Sequence, residues 1–171
     1  MTTSLAGVTG YRFKVTNITA GAQGPNVVQT IDRNIHWFSL PMLAQYNYGT
    51  TYRIEIAVKT TGAYSGFGAP CEVSSPPAPS LINYGGITAT SSTLVASTSL
   101  QGVMQYRFQI TRMLDNATTT IDRNNNYFTF KMVSGYTPAA QYAIRISVMT
   151  AGSWSPFGDA CEITSPGSAA R

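Results

Sequence analysis

Apolar and polar residues alternate with period two in short bursts along most of the chain. Tyr11-Arg12-Phe13-Lys14-Val15 puts its aromatic and Val side chains on one face and Arg12 and Lys14 on the other. Such alternation reads as a strand with one face in a core. Tyr52 to Val58 does the same, with Ile54, Ile56 and Val58 on the core side. Further on, Tyr106, Phe108 and Ile110 form one inward row, and Tyr142, Ile144, Ile146 and Val148 form another. Phe38-Leu40-Met42 and Phe128-Phe130-Met132 give two more inward rows. No segment holds a period of 3.6 over three turns, so helix should be nearly absent. In the second half the pattern predicts seven strands, near 86–90, 92–98, 105–112, 118–122, 126–131, 141–149 and 157–164. Seven short antiparallel strands in about ninety residues predict an all-β, immunoglobulin-like or fibronectin-III-like sandwich.

The two halves are copies of one unit. Thr30-Ile31-Asp32-Arg33-Asn34 recurs as Thr120-Ile121-Asp122-Arg123-Asn124. The register then holds without a gap to Ser75-Pro76 and Ser165-Pro166, with about 21 identities over 47 positions. Upstream the offset is five larger, because Tyr11-Arg12-Phe13 matches Tyr106-Arg107-Phe108. The first copy therefore carries a longer loop between Asn17 and Val28. The reading is repeat one at 1–76, a Pro-rich linker at 77–80, repeat two at 81–166 and a tail at 167–171. Pro76, Pro77 and Pro79 favour an extended linker, with the domains end to end and in little contact.

Composition narrows the function classes. Charged residues are only 11% of the 171, while Ser and Thr number 38 and Tyr ten. That suits hydroxyl-rich exposed strand faces. The net charge of +4 is spread over both halves. Without a basic block, nucleic acid is not an expected partner. No run of 18 apolar residues occurs, so membrane insertion is not expected.

Candidate chemistry is sparse. His36 is the sole histidine, and there is no nucleophile elbow or phosphate-binding loop. The seven acids are scattered and most fall in repeat-equivalent places. No enzymatic activity, cofactor or metal is expected. Asp32-Arg33 and Asp122-Arg123 form the strongest local motif. Asp32 could bond the backbone of the following turn, and Arg33 could lay its stem over aromatic faces. Trp37 and Tyr127 fall on an outward strand parity, and Tyr64 and Trp154 in the loop before the last strand. These four aromatics are the candidate binding residues, a surface glycan being the ligand that aromatic platforms suit. Asn17-Ile18-Thr19 and Asn116-Ala117-Thr118 are sequons in equivalent loops, with the composition of such loops as the simpler explanation. Cys71 and Cys161 stand in matching contexts, as small buried residues near a strand end or as partners for a Cys outside the chain.

Tyr-Arg-Phe-Lys-Val-Thr, Val-Gln-Thr-Ile-Asp-Arg, Tyr-Gly-Thr-Thr-Tyr-Arg-Ile-Glu-Ile-Ala-Val and Phe-Gly-Ala-Pro-Cys-Glu-Val together resemble a known repeat. They are similar to the fibronectin-type-III-like repeats of large secreted surface proteins of Bacteroidetes. The resemblance runs through both copies. It implies an extracellular, cell-surface, non-catalytic module exported by the type IX route, acting as spacer, adhesion or assembly unit. Because no export signal precedes Met1 and no sorting domain follows Arg171, it also implies a segment of a longer protein. Repeats of this type often begin with a Cys that pairs with the one near their end. Gly85 stands at that place in repeat two, so no internal pair between Cys71 and Cys161 is expected. Two alternatives remain open, a carbohydrate-binding module of a secreted hydrolase and a virion or filament subunit.

The alignment has one further consequence. Tyr106 matching Tyr11 leaves everything from Leu81 to Ser97 in repeat two without a counterpart in repeat one. Repeat one should then lack its first two strands and expose an apolar face. A neighbouring domain or subunit, upstream residues or a swapped copy would complete it.

Overall fold

The computed structural model describes residues 4–19, 27–82, 86, 88 and 90–167. It divides into two compact units, Met1–Pro76 and Pro77–Arg171. Both are built almost wholly from antiparallel strands.

In the first unit, β1 (Gly10–Asn17), β2 (Val28–Arg33), β3 (Thr51–Lys59) and β4 (Cys71–Ser74) form one sheet in the order β2-β1-β3-β4. Alternation sets its faces. Tyr11, Phe13 and Val15 are buried, and Tyr52 and Ile54 join them across β3. Leu43 closes this cluster, with Phe38, Leu40, Ile56 and Val58 packed against it but only partly buried.

The second unit repeats that sheet and adds another. Its β6 (Gln105–Arg112), β7 (Thr118–Arg123) and β9 (Gln141–Thr150) pair as β1, β2 and β3 do. The far edge of β9 is shared by β10 (Ser153–Trp154) and β11 (Cys161–Thr164). Opposite lies a second sheet, in which β5 (Val95–Ala96) pairs with β8 (Tyr127–Phe128). A bridge between Leu81 and Ser97 extends this layer. Phe108, Ile146 and Val148 from one layer meet Leu81, Val95, Phe128 and Phe130 from the other, all buried. Two layers around an apolar core make the expected sandwich.

The shared register is visible in matching bonds. Leu5 donates its N–H to the Tyr11 hydroxyl, as Leu100 does to Tyr106. The Asn17 N–H reaches the Val27 carbonyl at 3.2 Å, as Arg112 reaches Ala117 at 2.8 Å. Both hairpins thus close on the same bond, and the extra residues of the first copy lie in the loop between.

Several sequence expectations shift. The rows Phe38-Leu40-Met42 and Phe128-Phe130-Met132 do not stay inward. The chain winds into 3-10 turns at Leu40–Met42 and Phe130–Met132, which breaks the period of two. Met42 and Met132 face out, and Leu43 and Val133 take the buried places. The strand expected at 126–131 shrinks to Tyr127–Phe128, and that at 92–98 to Val95–Ala96. The strand expected at 157–164 is Cys161–Thr164, with Ser153–Trp154 as a separate piece ahead of it. Of the strand expected at 86–90, residues 87 and 89 lie outside the described residues, as does Gly85. Gly86 and Thr88 still bond to Thr164. Pro77–Ser80, read as linker, begins the second unit, where Ala78 is buried.

Backbone conformation yields one prediction. Gly49 and its counterpart Ala139 both have positive φ, +60° and +52°. Only glycine takes this region without steric cost. Ala139→Gly should therefore stabilise the second unit by about 0.5 kcal/mol, after its larger unfolded-state entropy is counted. Thermal unfolding of the chain checks this as a raised Tm for the second unit.

Candidate functional site

Among the described residues, the two copies differ most on the sheet face where repeat one has no second layer. A groove of about 130 Å³ runs along its sheet, lined by Phe13, Trp37, Phe38, Leu40, Ile54, Ile56, Cys71 and Val73. None of these side chains is charged. Of the equivalent residues of repeat two, Phe108, Phe128, Phe130, Ile144 and Ile146 are all fully buried. Val73 is 41% exposed, whereas its counterpart Ile163 is 4% exposed. Phe38 is half-buried, whereas Phe128 is fully enclosed. Among the described residues, no strand pairs with Trp37–Phe38 as β5 pairs with β8. Nor does one flank Ser74 as Gly86 and Thr88 flank Thr164, at 3.3 and 3.0 Å.

On the opposite sheet face, the Asp-Arg motif has a partner that local reading missed. Asp32 accepts two bonds from Arg12, Nε and one terminal nitrogen, both at 2.7 Å. Asp122 accepts the same pair from Arg107, again at 2.7 Å. The bonded partner of Asp32 is therefore a cross-strand arginine rather than the backbone of an Asx turn. The register explains it, because Arg12 faces Asp32 and Arg107 faces Asp122 across their hairpins. Each guanidinium is then capped by an aromatic ring, Tyr64 at 4.1 Å and Trp154 at 4.0 Å from the ring centroid. Arg107 is half-buried under that ring, while Arg145 on the neighbouring strand is exposed.

These contacts locate the other candidate residues. Tyr64 and Trp154 each turn one ring face to an arginine. Arg33 sets its guanidinium 5.6 Å from the centroid of Trp37 and a terminal nitrogen 3.1 Å from Met42 Sδ. Arg123 is half-buried with its Nε enclosed. Trp37 lines the groove, and Tyr127 lies in β8 with its hydroxyl 3.5 Å from Asn125 Nδ2. The four aromatics thus fall on two separate faces. His36 rests edge-on against Tyr11 at 6.3 Å between centroids. Cys71 and Cys161 are free thiols, Cys71 exposed at the groove and Cys161 half-buried.

Hydrogen bonding by the arginines holds Asp32 and Asp122 below the usual carboxylate range. Asp115 is lower still, at about 2, because Arg112 grips both its oxygens and the Ala117 N–H adds a third bond. A carboxylate lowered in the folded state adds stability above its unfolded value and loses it as pH falls. A carboxylate-detected NMR titration should give Asp115 a midpoint near 2. The Arg112–Asp115 contact should open only below that pH. A midpoint near 4, the ordinary aspartate value, would contradict the geometry.

No protein-family model matches the chain, and no curated protein matches it. A solved structure does. The chain is similar to the FN1–FN3 domains of chicken CNTN1, with a TM-score of 0.39 and 13% identity. The match covers 91% of this chain and 56% of that one, so the chain spans just over half of its neighbour's length. The likeness concerns fold alone, and the sandwich assignment rests on the strand pairing described above.

Proposed function

We propose that the chain is a non-catalytic module of a secreted surface protein, working as a spacer, adhesion or assembly unit through contacts rather than turnover. The observation that carries this reading is the uncharged apolar groove of repeat one, set on a sheet whose opposite face is fastened by the arginine clasps. Monomeric proteins rarely leave such a face uncovered, and contiguous apolar surface marks interaction sites. Resemblance to the repeats of Bacteroidetes surface proteins supports the extracellular setting. The same groove favours a second reading, a subunit of a filament or virion.

Immunolabelling tests the setting. Antibody to the chain should label intact source cells or released assemblies, and external protease should remove the signal. Labelling that needs permeabilisation would overturn the extracellular part. Turnover of a glycan, ester or peptide that a point substitution abolishes would overturn the non-catalytic part. Electron microscopy of native material separates the two readings, since regular particles or filaments carrying the chain would favour the second.

A further inference from the structure

We propose that a trough on the clasp face of repeat one binds an acidic saccharide, a sugar that carries a carboxylate beside its hydroxyls. This names a ligand for the surface module proposed above and rests on that reading. The trough follows from a missing side chain. Gly10 opens β1 and pairs with Lys59, which in turn bridges to Tyr64. A Cβ on Gly10 would stand 3.4 Å from the Tyr64 hydroxyl, 3.5 Å from the Lys59 Cβ and 3.7 Å from the Arg33 carbonyl oxygen. Without it, these groups border a space of about 510 Å³ together with Thr9, Asp32 and Asn34. That is within the usual size of small-molecule sites.

Repeat two closes the same place. Gln105 stands for Gly10, and its side-chain nitrogen donates to Asn124 Oδ1 at 3.2 Å. Met149 stands for Lys59, Met104 for Thr9 and Trp154 for Tyr64. The asparagine and the neighbouring Arg–Asp clasp are the same in both copies. The copies therefore diverge around the gap and agree beside it. The chain ahead of this point in repeat two runs in the opposite layer, where Val95 and Ala96 pair with Phe128 and Tyr127, away from the clasp face.

The groups at the gap select the ligand. Among the described residues, Lys59 forms no ion pair, and the side chains of Asn34 and Tyr64 make no hydrogen bond. The Lys59 ammonium calls for an anion, through a charge-assisted bond. Asp32 keeps lone pairs beyond the two bonds it accepts from Arg12, so it calls for a donor. A simple anion meets the first demand and is repelled by Asp32. A neutral sugar meets the second and leaves Lys59 without a counter-charge. A carboxylated sugar meets both, with Asn34 and the Tyr64 hydroxyl left for its other hydroxyls.

The probe is trigalacturonic acid, titrated into the isotope-labelled full chain and followed by amide NMR shifts. Saturable shifts at Gly10, Asn34 and Lys59 are expected, with a Kd of about 5 mM or tighter. Gly10→Gln, which sets the side chain of repeat two in the gap, should weaken binding at least about tenfold. Its Cβ would meet only ordinary contacts, so the variant should fold, and its spectrum verifies that. Lys59→Met should remove the preference for trigalacturonic acid over maltotriose, an uncharged trisaccharide. Binding weaker than about 5 mM, or indifferent to both substitutions, would overturn the proposal. So would equal or tighter binding of maltotriose, of inorganic phosphate or of a glutamate-rich peptide to the unsubstituted chain. Each of these failures would leave the surface-module reading to the immunolabelling, which does not depend on this trough.

Discussion

Ile146→Ala should destabilise the second unit by about 2–5 kcal/mol, whereas Ile56→Ala should cost the first unit less than half as much. The two residues occupy equivalent strand positions, and each faces a phenylalanine across its sheet, Phe108 for Ile146 and Phe13 for Ile56. What differs is the layer above. Ile146 is sealed by the second sheet, so truncation removes packed methyl groups and leaves a cavity. Ile56 borders an open groove, where water already meets part of the side chain and fills what truncation vacates. Each unit carries one tryptophan, Trp37 or Trp154, so urea unfolding of the full chain can be followed separately for the two. Tryptophan-to-phenylalanine backgrounds assign the transitions. Equal losses at the two positions would mean that repeat one covers its own face in solution.

Much of this contrast was legible from residues alone. The match of Tyr11 to Tyr106 fixes the offset, and the offset leaves Leu81–Ser97 unmatched. Parity correctly buried Phe13, Val15, Phe108 and Ile146, since a strand in a half-buried sheet has only two faces. The 3-10 turns escaped notice because Phe128-Phe130-Met132 keeps its apolar alternation while the backbone changes period. The turn is set by bonds from Met132 to Thr129 and from Val133 to Phe130, which side-chain pattern does not record. The arginine clasps escaped for another reason. Arg12 and Asp32 are twenty residues apart, and local motif reading treats Asp32-Arg33 as the unit. Folding the hairpin from its Tyr11 end would have found the pair, because an Arg then faces an Asp in both copies.

Gly158→Ala should weaken the second unit by about 1–3 kcal/mol, the ordinary cost of forcing an atom into a packed site. Gly68→Ala, the equivalent change in repeat one, should be close to neutral. A Cβ on Gly158 would stand 2.9 Å from the Ala78 carbonyl oxygen and 3.1 Å from that of Pro79. Both obstacles are backbone, so neither can swing aside as a side-chain end would. Gly158 is also tied in place, its N–H bonded to the Ile146 carbonyl and its own carbonyl accepting from Arg145 Nε. Gly68 makes the same bond to Ile56, but its Cβ would meet only the Ile56 carbonyl at 3.5 Å, an ordinary contact. The glycine is shared by both copies, yet among the described residues a leading segment lies across it in repeat two alone. Denaturation of the two variants checks the contrast, and equal losses at the two glycines would overturn it.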